Sequence, residues 1–520
     1  MHSKMGVSVT ERTCDWNTVN WRKANRMVRN LRRRIFRATQ SGLLKKVRGL
    51  QRLLMRCYSN ILVSVRRVTQ TNKGKNTPGV DKLVVKTPRA RGLLADYLTK
   101  FIPWKPYPTL RTYIPKSNGS KRPLGIPSII DRCLQAIVKN ALEPAWEAKF
   151  EGSSYGFRPG RSPHDAMAKI FITASPHRKK KWVVDADITG CFDNIAHYPL
   201  LKAIGNFPAR KLIELWLKAG YMDNGAFHDT DMGTPQGGVI SPLLANIALH
   251  GMEDALGLKY NYRGELKGKR AVVRYADDFL VFCETKEDAE KSVEILKTWL
   301  RERGLSLSES KTKIVHLNEG FDFLGFNVRH YAVTNTATGW KLLIKPSQKS
   351  VQGIRDKLRL LWLKSKSQSV SALIGKLNPI IRGWCNYFRI GVSVETFKKL
   401  DEWMFHREER YAKRMHPNKS DGWRQKRYWG KLNLDRDDNW VFGDKQTGQY
   451  LLKFQWSAIE RHILIKGKSS PDDPSLREYW IERDKAQAKE LLPSTQKIAY
   501  TQILQLTGET SNKRIIHVKK

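Results

Sequence analysis

The stretch that most constrains the fold is RYADDFLVF, Arg274 to Phe282, in which two neighbouring aspartates interrupt an apolar run. The apolar residues on both sides predict two short strands, with Ala-Asp-Asp as the tight turn between them. Such a hairpin holds Asp277 and Asp278 side by side as like charges. Two interpretations are open at this point. Asp is common in solvated turns, and paired carboxylates on rigid strands can also bind Mg²⁺.

The charge of the whole chain indicates a polyanionic partner. Its 520 residues carry a formal net charge of +45, and 40% of them are hydrophobic, enough for sizeable cores. A surface this basic favours nucleic acid. A membrane surface is the alternative, but we find no apolar run of the ~18 residues that a spanning helix needs and no apolar signal-peptide core. The six scattered cysteines form no CxxC, which is typical of a reducing cytoplasm and argues against disulfides or a zinc site.

The N-terminal segment is basic throughout, since positions 16–80 contain no acidic residue. Apolar residues at helical spacing predict one amphipathic helix beginning near Trp21 and a second that runs through Cys57 to Ile61. A solvated helical face normally mixes charge signs, so we favour a phosphate-binding surface for the basic face of the first helix. The candidate RNA-binding residues on that face are Arg22, Arg26, Arg29 and Arg33.

Four further segments occur in an informative order. KWVVDADITGCFDNI (181–195) predicts a strand that ends at Asp187. Before it, IPKSNGSKRPLGIP (114–127) predicts a hairpin whose basic arms could grip phosphate or simply solubilise the surface. After it, MGTPQGGVISPLLANI (232–247) predicts a Gly-rich loop leading into a helix, and FDFLGFNVR (321–329) an apolar strand with a Gly kink. Together with the Asp-Asp hairpin this order resembles a polymerase palm, in which several carboxylates converge on two divalent cations.

The segment RMHPNKSDGWRQKRYWGK (414–431) interleaves aromatic and basic residues. Single-stranded nucleic acid is bound by such combinations, and a small Trp-anchored core with basic rims is the alternative. We favour nucleic-acid binding because the overall charge is so high. The candidate DNA-binding residues are Lys419, Trp423, Arg424, Lys426 and Arg427.

Eight sequence blocks, in order, resemble reverse transcriptases encoded by bacterial and organellar group II introns. The blocks are TPGVD, IPKSNGSKRPLGIP, SSYGFRPGRSPHDA, DITGCFDNI, GTPQGGVISPLLANI, RYADDF, SESKTKI and FDFLGF. LNPIIRGWCNYF is similar to the maturase or thumb segment of that family, and MHPNKSDGWRQKRYW to the DNA-binding region that follows it. The resemblance covers nearly the whole chain.

The resemblance implies an α+β fold, the fingers and palm of a right-hand polymerase with added helical parts. The expected domains are a basic helical N-terminal extension (1–70), reverse transcriptase fingers and palm (71–345), a helical thumb or maturase domain (346–412), a small DNA-binding domain (413–485) and a C-terminal tail (486–520).

The resemblance also assigns roles to residues. The catalytic carboxylates would be Asp187, Asp277 and Asp278, which with the backbone of Ile188 would hold two Mg²⁺ ions, Mn²⁺ being a substitute. The residues expected to bind the incoming dNTP are Lys116, Arg122, Phe192, Gln236, Gly237 and Lys311. Phe192 would wall the sugar pocket, while Asp185 and Asp193 are interpreted as structural.

The function implied is that of a reverse transcriptase and maturase. It would bind its intron RNA, assist splicing and reverse splicing, and copy the RNA into DNA for intron mobility. Its partners would be intron RNA, target DNA and dNTPs, with no membrane, in a bacterial cytoplasm or nucleoid rather than an organelle matrix.

Alternatives and an expected absence complete the interpretation. GWCNYF and HPNKS argue against a retron or CRISPR-associated enzyme. The intact aspartates argue against an RNA-binding splicing factor with a vestigial polymerase. Many relatives end in an HNH endonuclease that holds zinc with paired cysteines. No cysteine follows Cys385, so we expect this module to be missing.

Overall fold

The computed structural model describes residues 14–100, 104–115, 119, 121–262, 265–365 and 367–491. These residues form two compact units. The first contains the chain up to His316 except for Ser175–His177, and also Ile465–Leu476; the second contains the rest. The strands between Phe321 and Pro346 therefore lie in the second unit. The predicted domain boundaries describe family domains rather than these units and stay predictions.

The first unit combines helices with short strands. Its helices are α1 (Trp21–Gln40), α2 (Leu44–Arg56), α3 (Tyr58–Arg66), α4 (Pro88–Tyr97), α5 (Ile129–Glu147), α6 (Pro163–Thr173), α7 (Cys191–Asn194), α8 (His197–Ile204), α9 (Arg210–Leu217), α10 (Ser241–Ala248), α11 (Met252–Ala255) and α12 (Lys286–Arg301). Its strands are β1 (Thr109–Pro115), β2 (Lys121–Ile126), β3 (Trp182–Asp187), β4 (Tyr221–Asp223), β5 (Ala226–His228), β6 (Lys259–Tyr260), β7 (Leu266–Lys267), β8 (Ala271–Tyr275), β9 (Asp278–Cys283) and β10 (Lys313–His316).

The sheet that carries the aspartates has the order β10-β3-β9-β8, with antiparallel neighbours. Its central strand β9 is fully buried from Phe279 to Cys283, which is why this part of the sequence is a continuous apolar run rather than an alternating one. Each fully buried large apolar side chain contributes about 1.5–3 kcal/mol, so the hairpin is anchored firmly from its base. A second sheet has the order β2-β1-β4-β5.

The basic N-terminal segment is helical, as predicted, but its second helix is interrupted. Cys57 has an extended conformation (φ −68°, ψ 119°) between α2 and α3, so the predicted continuous helix through Cys57 is wrong. Asn60 is fully buried and donates hydrogen bonds to the carbonyls of Leu54 (3.0 Å) and Ile137 (3.2 Å). The Leu54 carbonyl, which at the end of α2 accepts from the Cys57 amide at 3.2 Å, thereby gains a second donor.

A buried ion pair network ties α1 to the rest of the first unit. Arg32 forms salt bridges with Glu143 on α5 at 2.9 Å and with Asp472 at 2.5 Å. These three side chains are no more than 13% exposed, so the charges need each other. The segment Ile465–Leu476 is thus held against the N-terminal helix.

The second unit contains two small sheets and the C-terminal helices. Its helices are α13 (Gln348–Lys364), α14 (Val370–Phe388), α15 (Val394–Met415), α16 (Asp421–Tyr428) and α17 (Arg477–Leu491). Its strands are β11 (Phe321–Phe323), β12 (Phe326–Ala332), β13 (Trp340–Pro346), β14 (Trp429–Gly430), β15 (Val441–Asp444) and β16 (Gln449–Tyr450). Of all helices described, none is long and apolar enough to cross a membrane.

The segment FDFLGFNVR forms a hairpin, not the kinked strand that its apolar run predicts. β11 and β12 pair antiparallel, with Phe323 opposite Phe326. Leu324 (φ 49°) and Gly325 (φ 81°) form the two-residue turn between them. Left-handed residues at both positions match the twist of adjacent strands, so the Gly makes a turn here instead of a kink.

The aromatic residues near α16 divide between a core and a surface. Tyr428 stacks on Phe442 with ring centroids 5.8 Å apart, and Trp429 packs on the same ring at 5.3 Å. Both are buried, whereas Trp423 is 37% exposed and contacts His416. Both interpretations of this segment therefore have support: part of it is a Trp-anchored core, and part of it faces solvent.

Glu408 on α15 predicts a pH-dependent stability. Burial raises its pKa to about 8 from 4.5, although Trp429 Nε1 donates to it at 3.1 Å. The stabilisation of the folded state that results from this raised pKa is complete below pH 4.5, where Glu408 is protonated in both states. It is lost as the pH rises through 8, because the folded state resists the ionisation of Glu408. We expect Glu408→Gln to raise the denaturation midpoint at pH 8.5 but to leave it nearly unchanged at pH 5. The exposed neighbour Glu409→Gln is the control, and equal effects at both pH values would contradict the prediction.

Candidate active site

The site starts at the turn between β8 and β9. Tyr275 ends the first strand and Asp278 begins the second, so Ala276 and Asp277 alone form the turn. The predicted three-residue turn is therefore one residue too long. Ala276 is left-handed (φ 60°), as tight hairpins with the natural strand twist require. Gly156 packs directly on this turn, since a Cβ there would lie 2.4 Å from the Ala276 nitrogen.

A buried arginine fixes the turn from behind. The side chain of Arg274 is 1% exposed, and its Nη1 donates to the Ala276 carbonyl at 3.2 Å and to Asn246 Oδ1 at 3.0 Å. Asn246 in turn donates to the Gly156 carbonyl at 2.9 Å. Glu151 lies 3.9 Å from Arg274 and balances its charge. The aspartate turn is thus held by a network whose members come from three separate parts of the sequence: residues 151–156, Asn246 and the hairpin itself.

The third aspartate lies on the adjacent strand. In the β3–β9 register, Asp187 is directly opposite Asp278, which brings the strand-end carboxylate to the hairpin tip as predicted. Lys311 Nζ forms a salt bridge with Asp187 Oδ2 at 2.7 Å. The Ser308 amide donates to the Asp187 carbonyl at 2.8 Å, and this bond holds the segment carrying Lys311 beside the strand.

The carboxylates repel each other. Desolvation and then the charge of Asp277 raise the pKa of Asp278 to about 7. Since the Asp278 side chain is itself exposed, we consider repulsion the more important of these causes. Desolvation and the charge of Asp187 also raise the pKa of Asp277, while Arg122 and Lys311 oppose that rise. The cluster is therefore short of positive charge.

The donor set fits a divalent metal ion. Crowded carboxylates with raised pKa values gain most from a hard cation, and Mg²⁺ prefers oxygen ligands. Within the described part of the chain, no three His, Cys, Asp or Glu side chains are arranged as a metal-binding group. Lys311 instead supplies a cation to Asp187. Ile188 follows Asp187 directly, so its backbone lies at the same strand end, and its side chain is buried.

Phe192 lies five residues after Asp187, on the short helix α7. It is 9% exposed and contacts Phe157 edge-on, with ring centroids 6.2 Å apart. Phe157 is half exposed and left-handed (φ 60°), a strained conformation for an aromatic residue. The Phe192 carbonyl accepts a hydrogen bond from the Thr234 amide. This bond joins α7 to the Gly-rich loop.

Two of the predicted nucleotide-binding side chains are in contact. Arg122 Nε donates to Gln236 Oε1 at 3.1 Å, and Gln236 Nε2 donates to Asp193 Oδ2 at 2.9 Å. Gly237 (φ 144°) lies so close to β2 that a Cβ would be 2.6 Å from the Gly125 carbonyl. The loop and the hairpin are therefore packed backbone to backbone. Lys116 lies outside the described residues.

Comparison with known proteins places the chain in a family. Residues 114–328 match the family model of reverse transcriptase (RNA-dependent DNA polymerase), residues 16–98 that of the N-terminal domain of reverse transcriptase, and residues 351–429 that of the group II intron maturase-specific domain. Protein YkfC of Escherichia coli (strain K12) is 36% identical over 54% of this chain and 89% of its own length. Group II intron-encoded protein LtrA of Lactococcus lactis subsp. cremoris is 31% identical over 68% of this chain and 72% of its own length.

The chain belongs to the group II intron-encoded proteins. A further relative, an uncharacterized 91 kDa protein in the cob intron of Schizosaccharomyces pombe, is 29% identical over 61% of this chain and 48% of its own length. As a group II intron-encoded protein, the chain is an RNA-directed DNA polymerase and a maturase. It has the α+β reverse transcriptase fold, depends on divalent metal ions and has RNA as a partner.

The predicted RNA-binding arginines of this group II intron-encoded protein differ in exposure. Arg22, Arg26 and Arg29 on α1 are exposed, whereas Arg33 is only half exposed. The neighbouring Arg32, which the charge pattern alone does not distinguish from them, forms the buried pairs with Glu143 and Asp472.

The predicted DNA-binding residues of this group II intron-encoded protein also differ. Lys419, Trp423 and Lys426 are exposed and Arg427 is half exposed. Arg424 is buried. Its guanidinium is bound to Asp421 and donates to the His416 carbonyl at 3.1 Å. Arg424 thus stabilises its own helix start, and its charge is not displayed on the surface.

Proposed function

We propose that this protein copies its intron RNA into DNA at the cluster of Asp187, Asp277 and Asp278. The observation that carries the proposal is the register of β3 and β9, which puts Asp187 opposite Asp278 and beside the turn that holds Asp277. Lys311 lies beside the cluster and forms a salt bridge with Asp187 at 2.7 Å. The cations would be Mg²⁺, with Mn²⁺ as a substitute.

In the proposed reaction, the primer 3′-hydroxyl attacks the α-phosphate of a dNTP and pyrophosphate leaves. Asp187, Asp277 and the backbone oxygen of Ile188 would be the metal ligands, with Asp278 completing the set. These residues would hold two divalent ions, whose charge would activate the hydroxyl and neutralise the triphosphate. Lys311 would exchange Asp187 for a phosphate oxygen, because its ammonium is exposed and already at the cluster.

The remaining nucleotide contacts are proposed for the loop and hairpin around Gln236. Arg122, and Lys116 in the same hairpin, would bind the triphosphate through charge-assisted hydrogen bonds. Gln236 and Gly237 would line the nucleotide and template side. Desolvation raises the pKa of Asp277, and the charge of Arg122 opposes that rise, which supports a position of Arg122 close to the reacting phosphates.

Primer extension tests the proposal. Purified protein is incubated with an RNA template, an annealed DNA primer, dNTPs and MgCl₂, and the product is resolved on a gel. We expect full-length cDNA, and none after chelation by EDTA. If the protein binds intron RNA and assists splicing but never extends a primer, the alternative of a splicing factor with a vestigial polymerase holds.

Phe192 is proposed to exclude ribonucleotides. Its ring would stack against C2′ of the incoming sugar, where a 2′-hydroxyl collides with it. We expect Phe192→Val to raise ribonucleotide incorporation by about tenfold or more, since one removed steric conflict is worth at least ~1.4 kcal/mol. Primer extension with rNTPs measures ribonucleotide incorporation. Phe171→Val is the control, because Phe171 is an exposed phenylalanine of the same unit. An unchanged ratio of rNTP to dNTP use would remove Phe192 from this role.

The maturase function is proposed to use the basic face of α1 for intron RNA. Replacing Arg22, Arg26 and Arg29 by Glu should weaken intron binding. It should also make the fall of log affinity with log salt less steep, because each phosphate contact releases counterions. Extension on a short artificial template should suffer less. Equal losses in both assays would mean that the face belongs to the polymerase fold. Filter binding at several salt concentrations gives the slope.

For intron mobility we propose that Lys419, Trp423, Lys426 and Arg427 contact target DNA. Arg424 is left out because its guanidinium is already engaged within its own helix.

The setting would be a bacterial cytoplasm, with the intron RNA and this protein acting as a ribonucleoprotein. The proposed domain boundaries are those expected from the sequence, at 70, 345, 412 and 485.

A further inference from the structure

The sequence assigns no chemistry to Asp193, yet in the structure it lies at one end of a series of three hydrogen-bonded side chains. Asp193 Oδ2 accepts from Gln236 Nε2 at 2.9 Å, and Gln236 Oε1 accepts from Arg122 Nε at 3.1 Å. The three residues come from α7, the Gly-rich loop and β2, all within the first unit. A carboxylate behind the strand-end aspartate is thus connected to the proposed triphosphate-binding arginine.

The chemistry of the three groups determines which of them donates and which accepts in each hydrogen bond of this series. A carboxylate only accepts hydrogen bonds and a guanidinium only donates them. Gln236 can satisfy both neighbours in one orientation only, with its NH₂ towards Asp193 and its oxygen towards Arg122. In the flipped orientation the amide oxygen would face the carboxylate and the NH₂ would face the guanidinium, and both contacts would be repulsive.

The backbone near these three side chains is held by hydrogen bonds and close packing. The Gly125 amide donates to the Gln236 carbonyl at 3.0 Å, and the Gly233 amide donates to the Ile195 carbonyl at 2.8 Å. Gly233 (φ 88°) lies against Asp193, since a Cβ there would be 2.5 Å from the Asp193 carbonyl oxygen. The backbone on both sides of Gln236 is therefore held in place, and the side chain of Gln236 is the part that can still rotate; in the structure its amide is bonded to Asp193.

We propose that Asp193 is a positioning residue for nucleotide binding. By holding Gln236 in one orientation, it makes the amide oxygen an acceptor for Arg122 Nε and so directs the two terminal nitrogens of the guanidinium towards the triphosphate. The inference rests on the proposed roles of Arg122 and Gln236 in binding dNTP. Asp193 itself touches neither nucleotide nor metal.

Steady-state primer extension separates this role from a structural one. We expect Asp193→Ala to raise the KM for dNTP about tenfold with kcat changed less than threefold, as for the loss of one charge-assisted hydrogen bond. Asp193→Asn should fall between Ala and the wild type, because an asparagine can present either oxygen or NH₂ to Gln236. Asp229→Ala, an exposed aspartate on a neighbouring loop, should behave like the wild type.

The decisive measurement is a double-mutant cycle. In a Gln236→Ala background, Asp193→Ala should raise the KM no further, since there is no amide left to orient. An additive rise in KM, or a fall in kcat equal to the rise in KM, would overturn the inference, as would a normal KM in Asp193→Ala.

The same assays distinguish the inference from the function it rests on. Absence of extension by the wild type would overturn both. A normal KM in Arg122→Ala and Gln236→Ala would overturn the nucleotide-binding roles, and with them the role of Asp193. Raised KM values in those two variants with a normal value in Asp193→Ala would overturn this inference alone. If Asp193→Ala melts early, Asp193→Asn carries the same comparison.

Discussion

Asp277→Ala should abolish RNA-templated DNA synthesis while leaving RNA binding intact. Asp277 follows the left-handed Ala276 in the two-residue turn, so its carboxylate lies at the tip of a hairpin whose second strand is fully buried from Phe279 to Cys283. In the proposed site its loss would remove a metal ligand, and bound metal ions of this kind contribute several kcal/mol of transition-state charge stabilisation. We expect the single-turnover rate to fall by roughly a thousandfold or more.

Two measurements check this result together. Primer extension under single-turnover conditions gives the rate, and filter binding to intron RNA gives the affinity, which should change less than twofold because the basic face of α1 is elsewhere in the unit. Asp254→Ala, an exposed acid on α11, is the matched control. Extension at a normal rate by Asp277→Ala would show that the metal site has been assigned to the wrong carboxylates.

The second large effect concerns stability. Glu147→Ala should destabilise the first unit by about 3–5 kcal/mol, the usual result of leaving one buried charge without its partner. Glu147 and Arg158 are each 1% exposed and are joined by two parallel hydrogen bonds of 3.0 and 2.9 Å. The other Arg158 nitrogen donates to the carbonyls of Glu151 and Ser154.

This pair also supports the strand that leads to the aspartate turn. Ser154 bridges Arg274, and the Tyr155 amide donates to the Arg274 carbonyl at 2.9 Å, so the segment held by Arg158 supports the strand that leads to the aspartate turn. Denaturant unfolding gives the stability change. The surface pair Lys297–Glu294 (46% and 70% exposed) is the control, and Glu294→Ala should cost ~1 kcal/mol or less. Equal costs for both variants would contradict the prediction.

Features that depend on neighbours in sequence could be predicted from the sequence alone. The hairpin around Asp277, the strand ending at Asp187 and the helix from Trp21 follow from apolar periodicity and turn chemistry, which act over a few residues. The order of the blocks identified the family, because the chemistry of each block requires particular residue types. Even there, the turn was one residue shorter than predicted, since the pairing of Asp278 with Asp187 and Tyr275 draws it into the strand.

What the tertiary structure decided are the partners of residues far apart in sequence. Arg32 and Arg29 are equivalent in the charge pattern, but Arg32 is buried against Asp472, 440 positions away. Arg424 is lost from the predicted DNA surface, and Asp193 becomes the partner of Gln236. Local sequence sets which conformations are allowed, whereas burial and hydrogen-bond satisfaction depend on which distant groups meet. The strand end at Asp187 and the hairpin around Asp277 were therefore predictable from the sequence, and the distant residues that hold them in place were not.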